Sequence, residues 1–92
     1  MDGFFRTRLV TTTSEQFINP NGGTSMDKFY VFHNLGPAKV TILFAGSSGP
    51  GWAAPLDLRP GDFSEVFCAQ AKVQLATGDS YDGAILQWVP AS

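Results

Sequence analysis

Short apolar segments with alternating faces, separated by turn residues, run through the chain from residue 27 onwards. The apolar segments are residues 29–32, 40–44, 63–68, 73–76 and 84–89. Turn-forming residues lie between them, at 34–37, 46–51, 59–62 and 77–83. This spacing is typical of a small all-β fold, and no stretch of ten or more residues has the period of a helix. We predict a small antiparallel β-sandwich or barrel of about six to eight short strands.

Two local patterns predict how these strands are arranged. Residues 29–33 place Phe29, Val31 and His33 on one face and Tyr30 and Phe32 on the other, so both faces are largely apolar. Such a strand is expected in the centre of a sheet, covered on both sides. Residues 29–33 and 39–45 lie on either side of the turn at 34–37 and are predicted to form a hairpin. Residues 59–62, with Pro and Gly at the second and third positions, predict a type II turn.

Residues 1–27 differ from the remainder of the chain. β-branched residues in 6–13 favour a strand, residues 15–18 suit a second short strand, and Gly-rich and Pro-containing residues 19–25 form a loop. We predict one domain, with an N-terminal strand or arm and loop in 1–27 and a β-sandwich core in 28–92. The N-terminal segment either pairs into the sheet or is an arm that becomes ordered against a partner.

Composition suggests a protein that assembles. Only 15% of the residues are charged, against about 25% in a typical soluble domain, and 12 are aromatic (eight Phe, two Trp and two Tyr). Part of the surface is therefore expected to be covered by a neighbour. The net charge is −2, and of the six basic residues only Arg6 and Arg8 lie close together, which argues against nucleic acid as a partner.

The chain has a single cysteine, Cys68, so no intramolecular disulfide can form. Its position in an apolar segment predicts a buried strand residue. We find neither the pattern of a signal peptide nor an apolar stretch of membrane-spanning length. These observations predict folding in a reducing cytoplasm and no membrane partner.

Residues suited to catalysis or metal binding are scarce. His33 is the one histidine and has no nucleophile motif near it, and the eight carboxylates stand singly at turns and strand ends. Asp79 and Asp82 are too few for a calcium site, and no Cys/His cluster suits zinc. We therefore predict that the protein is not an enzyme and uses no cofactor or metal.

Aromatic residues are the best candidates for binding. Trp52 directly follows a Gly-rich loop and is predicted to contact a partner or ligand, since Trp is a common interface anchor. Trp88 lies within an apolar segment and is predicted to pack in the core.

Three motifs carry a resemblance to a known class. They are a strand, Asn-x-Gly turn and strand at residues 31–42, a Leu-x-Pro-Gly-Asp corner at 58–62, and the final strand at 82–86. In these the chain resembles small β-sandwich proteins of tailed-phage virions. The resemblance implies a capsid decoration or cement protein whose partner is the major capsid protein or another virion protein.

Together these arguments predict a structural virion protein, assembled in the host cytoplasm, that decorates or cements a capsid lattice as a homo-oligomer, a dimer or trimer. Strand addition by the N-terminal arm to a neighbour is the expected mode of attachment, with residues 28–89 folding without residues 1–18. The candidate partner-binding residues are Phe4, Phe5, Arg6, Arg8 and Trp52. Alternatives are a phage tail or fibre component and a carbohydrate-binding module that uses Trp52 and Tyr81.

Overall fold

The computed structural model describes residues 6–22, 26–46, 52, 55–76 and 82–91. These residues form eight strands: β1 (Arg6–Val10), β2 (Gln16–Ile18), β3 (Lys28–Pro37), β4 (Val40–Ala45), β5 (Leu56–Leu58), β6 (Phe63–Cys68), β7 (Gln70–Leu75) and β8 (Ala84–Pro90). None of the described residues forms a helix long and apolar enough to cross a membrane.

The strands form two four-stranded antiparallel sheets packed together. Sheet A has the order β1-β8-β3-β6, and sheet B has the order β2-β7-β4-β5. The predicted all-β antiparallel sandwich is confirmed. The core lies between the sheets, because alternate residues of each strand point inward; its largest fully buried side chains include Tyr30, Phe32, Ile42 and Leu86.

β3 is a central strand, as predicted, but the prediction that both of its faces are covered is wrong, since Phe29 on its outward face is 52% exposed. It pairs with β6 on one side and with β8 on the other. Tyr30 and Phe32 are fully buried on its inner face, and Phe32 packs against Phe44 of sheet B with ring centroids 5.3 Å apart. The opposite face of β3 carries Phe29, Val31 and His33, which alternate with the core residues.

The predicted hairpin between residues 29–33 and 39–45 is wrong. β3 belongs to sheet A and β4 to sheet B, so the chain crosses from one sheet to the other at this turn. The side-chain Nδ2 of Asn34 donates to the backbone oxygens of Ala38 and Leu58, both at 2.8 Å. The Asn34 amide donates to Asp62 O at 3.0 Å. These bonds hold the turn against a second corner, at residues 59–62, in place of a hairpin ladder.

That second corner has the predicted type II geometry. Gly61 has φ +91°, which the third position of this turn requires. The Asp62 amide donates to Arg59 O at 2.9 Å, closing the turn.

The N-terminal segment is part of both sheets. β1 pairs with β8 in sheet A, and β2 pairs with β7 in sheet B. Val10 and Ile18 are buried in the core, and Trp88 Nε1 donates to Pro20 O at 3.0 Å. Of the two arrangements expected for this segment, the described residues adopt the paired one. Residues 1–18 thus supply two paired strands and two core side chains, which favours a core in residues 28–89 that depends on them for folding.

Candidate interaction surfaces

The outward side of sheet A carries an unusual concentration of apolar side chains. Strand alternation places one residue in two on this side, and the register brings residues of neighbouring strands into rows, such as Phe29 beside Phe67 and His33 beside Phe63. We call this surface the apolar face and define it by Leu9, Phe29, Val31, His33, Phe63, Phe67, Ile85 and Val89.

Its largest side chains are well exposed. The exposed fractions are 72% for Phe63, 63% for Leu9, 57% for Phe67, 52% for Phe29 and 43% for Ile85. With about 200 Å² for a whole aromatic side chain, these five leave roughly 500 Å² of apolar surface to water. The largest patch on a typical monomer is about 300–600 Å² and is often functional.

Exposure varies over the apolar face. Phe63 and Phe67 lie on the edge strand β6, and the Phe67 ring packs on Phe29 with centroids 4.9 Å apart. Val31 and Val89 pair with each other on the central strands β3 and β8 and are only partly exposed. Ile85, on the same strand as Val89, lies beside Leu9 of β1.

The outward side of sheet B is different, because polar contacts dominate it. Lys72 forms an ion pair with Glu15 at 3.6 Å, and Thr41 Oγ1 donates to Asp57 Oδ1 at 2.7 Å. This is the ordinary pattern of a solvated antiparallel sheet, apolar inside and polar outside. Among the described strand residues, sheet B exposes one large apolar side chain outward, Phe17, whereas sheet A exposes several.

Trp52 lies over the outward side of sheet B, in a cluster with Phe17 and Lys72. The rings of Trp52 and Phe17 meet edge to face with centroids 5.6 Å apart. Lys72 Nζ is 4.4 Å from the centroid of Trp52 and 5.0 Å from that of Phe17. Cation–π contacts of this kind are worth about 0.5–1 kcal/mol each at exposed positions. Because Lys72 covers a face of the Trp52 ring, that face is closed to the stacking that a sugar requires.

The predicted site residues lie apart. Arg6 and Arg8 are in β1, in register with Trp88 and Leu86, and are exposed at the edge of sheet A, whereas Trp52 covers sheet B. Phe4, Phe5 and Tyr81 lie outside the described residues. The structure therefore does not join the described members of this set into one site.

His33 and Cys68 are on opposite sides of sheet A, since His33 belongs to the apolar face and Cys68 is fully buried. Burial, with a smaller effect from the charge of Asp27, raises the pKa of the Cys68 thiol to about 12, which keeps it protonated. Within the described ranges, no three His, Cys, Asp or Glu residues are grouped to hold a metal ion.

Sequence reasoning missed two features. The sequence identifies Asn34 only as a turn residue, whereas in the structure its side chain is fully buried and bonds to Leu58 beside the second corner. Burial of a polar side chain depends on contacts between distant strands, so the local sequence does not indicate it. The apolar face was expected to be a covered side of β3. The spacing Phe63-x-x-x-Phe67 places both rings on one side of β6, but only the observed pairing of β6 with β3 puts that side next to Phe29.

No protein family model matches the chain, and neither a curated protein nor a solved structure gives a significant match to it.

Proposed function

We propose that this protein is a structural component of a virion, most simply a capsid decoration or cement protein that binds and stabilises the capsid lattice. It acts by surface contact and carries out no reaction. The observation that supports a role in assembly is the apolar face, because its roughly 500 Å² lies in the range of the largest patches on monomers, which are often functional contact surfaces.

The two corners support the virion setting. The Asn-x-Gly turn and the Leu-x-Pro-Gly-Asp corner are the motifs in which the chain resembles small phage sandwich proteins. Asn34 joins them by three hydrogen bonds: its Nδ2 donates to Leu58 O, its backbone amide donates to Asp62 O, and its backbone oxygen accepts from the Gly61 amide at 2.7 Å. The two motifs are thus in direct contact and form one structural unit, which is what we expect of motifs that occur together in a family.

Attachment is proposed to use the edge of sheet A and the residues that precede β1 in the chain. β1 is an edge strand, and its outer side meets no other described strand, so it offers backbone donors and acceptors to a neighbour. Arg6 and Arg8 are exposed there and suit acidic groups on a partner. Phe4 and Phe5 precede them in the chain.

The proposal is tested on purified particles from the source of the chain. Antibodies against the recombinant protein should label the capsid shell in electron micrographs, and mass spectrometry should detect the chain at a copy number in the hundreds or a simple fraction of the capsid subunits. Absence of the chain from purified particles would refute the proposal. Labelling of the tail alone would replace it with the tail or fibre alternative.

The attachment residues are tested by a variant that lacks residues 1–5 and by Arg6→Gln with Arg8→Gln. Both should fold like the wild-type chain and bind particles stripped of the protein more weakly. Lys28→Gln serves as the matched control, since it also removes a cation, at the first residue of β3. Equal binding by all variants would exclude this edge as the attachment surface.

A further inference from the structure

We infer that the apolar face joins two copies of this chain, face to face, in a two-fold symmetric dimer. The inference does not depend on the virion setting, because it rests on the exposed apolar area and the charge of sheet A alone. In such a dimer two sheets pack at about 10 Å, as they do inside a β-sandwich, so that sheet A becomes an internal layer.

The area suits a dimer. Two apolar faces brought together remove roughly 1,000 Å² of apolar side-chain surface from water, before the polar residues around them are counted. Specific interfaces begin at about 1,000 Å² of total buried surface, and those of homodimers are the more apolar class. A smaller partner, such as a single peptide strand, would leave part of the patch exposed.

The charge distribution allows self-association. Among the outward side chains of the described strands of sheet A, Glu65 is the one carboxylate and none is Lys or Arg. Glu65 stands on the edge strand β6 between Phe63 and Phe67, where it can remain in contact with water. A second copy therefore brings few like charges together, whereas a charged partner would find little to pair with.

The test is sedimentation equilibrium of the purified chain across a range of concentrations, with one variant on the apolar face and one matched control. The wild-type chain should have twice its 9.9 kDa mass. Phe63→Ser should raise the dissociation constant roughly 100-fold or more, because one large side chain is lost from each copy. Phe17→Ser is the control, since Phe17 is 64% exposed on sheet B, against 72% for Phe63, and should leave the dimer unchanged.

Folding of each variant is checked by its amide NMR spectrum. In the wild-type chain, resonances that move with concentration should map to the residues of the apolar face. The inference is overturned if the wild-type chain stays monomeric to about 1 mM, an outcome that leaves a different protein as the occupant of the face. It is also overturned if the folded Phe63→Ser variant dimerises like the wild type, or if Phe17→Ser alone dissociates the dimer.

Dimer formation and virion incorporation are separate measurements. A dimeric chain that is absent from particles would refute the proposed function and leave the dimer intact. A monomeric chain that is present in particles would support the proposed function and overturn the dimer.

Discussion

A single buried amide, that of Asn34, ties the two corners of the sandwich together. Its side chain is fully buried and has every donor and acceptor engaged: Nδ2 donates twice, and Oδ1 accepts from the Gly36 amide at 2.7 Å. Buried polar groups stabilise a fold when they are fully satisfied and destabilise it when they are not. The side chain therefore acts as a clamp between residues far apart in the chain.

Replacement of Asn34 by Ala should lower the free energy of unfolding by about 3 kcal/mol or more. The reason is that the oxygens of Ala38 and Leu58 and the amide of Gly36 lose their partner while they remain buried. Urea unfolding followed by circular dichroism measures the loss.

Asn34→Asp provides the matched control for this prediction. It keeps the size of the side chain and the acceptor for Gly36 but removes both donors. We expect a loss similar to that of Asn34→Ala at neutral pH. A variant within about 1 kcal/mol of the wild type would show that the donors contribute little.

The stability of the protein should fall in alkali because of Cys68. Its pKa is about 12 in the folded chain, raised from its ordinary value of 9.0 mainly by burial. Between about pH 9 and 12 the thiol keeps its proton in the folded state and loses it in the unfolded state. The contribution of Cys68 to the free energy of unfolding is therefore complete below pH 9 and is lost as the pH rises from about 9 to 12. The slope attributable to the thiol is up to about 1.4 kcal/mol per pH unit.

Cys68→Ala removes this effect. Burial, and to a smaller extent Cys68, also raise the pKa of Tyr30, so the difference between the two curves of stability against pH contains the thiol together with its influence on Tyr30. The curves should converge above pH 9. Parallel curves from pH 8 to 11 would contradict the assignment.

At the scale of the element, the two corners depend on glycine to different degrees. Gly36 and Gly61 both have left-handed φ values, +84° and +91°. A Cβ at Gly36 would lie 3.2 Å from Pro60 Cβ, whereas a Cβ at Gly61 would meet nothing within 4 Å. The first corner is therefore crowded as well as left-handed.

Gly61→Ala should lower the free energy of unfolding by about 1 kcal/mol from backbone strain alone. Gly36→Ala should lower it by roughly 1 kcal/mol more, because its Cβ would also contact Pro60. Thermal unfolding of the two variants measures the difference. Equal losses would mean that the two corners separate easily, in conflict with the contacts described for Asn34.

Removal of residues 1–18 should prevent the remaining chain from folding. The deletion takes away β1 and β2, and with them the buried side chains of Val10 and Ile18. Proton NMR of the truncated chain should show the narrow amide dispersion of an unfolded protein, while a chain that lacks only residues 1–5 should retain the wild-type spectrum. If the truncated chain still folds, this prediction is wrong and the N-terminal segment is an arm that the core does not need.

The positions of the strands could be predicted from the sequence, but their partners could not. Alternation of apolar residues is a local property, so β6 was located at its observed bounds and the central position of β3 followed from its two apolar faces. The predicted hairpin between β3 and β4 does not form, because Asn34 in the turn bonds to Leu58 and Asp62, which are more than 20 residues away in the chain. Likewise, the sequence places Trp52 after a loop, but nothing local shows that Lys72 would cover its ring.

At the scale of the whole molecule, pairing is dominated by strands distant in sequence. β1 pairs with β8, β2 with β7 and β3 with both β6 and β8. Loops must close before such pairs form, so we expect folding on the millisecond to second timescale, as for other β-sandwiches. Stopped-flow dilution from urea, followed by Trp fluorescence, measures the rate. A microsecond phase that carries the full amplitude would contradict the topology.

The pairing of β1 with β8 has a mechanical consequence. The two strands are antiparallel neighbours, and Arg6 at the beginning of one lies opposite Trp88 near the end of the other. A force that pulls the ends of the chain apart would unzip this pair one hydrogen bond at a time instead of shearing all of them together. The fold therefore offers little resistance to a force applied at the two ends of this pair. A protein that holds a shell together against internal pressure would need to bear that force through contacts on the outer faces of its sheets.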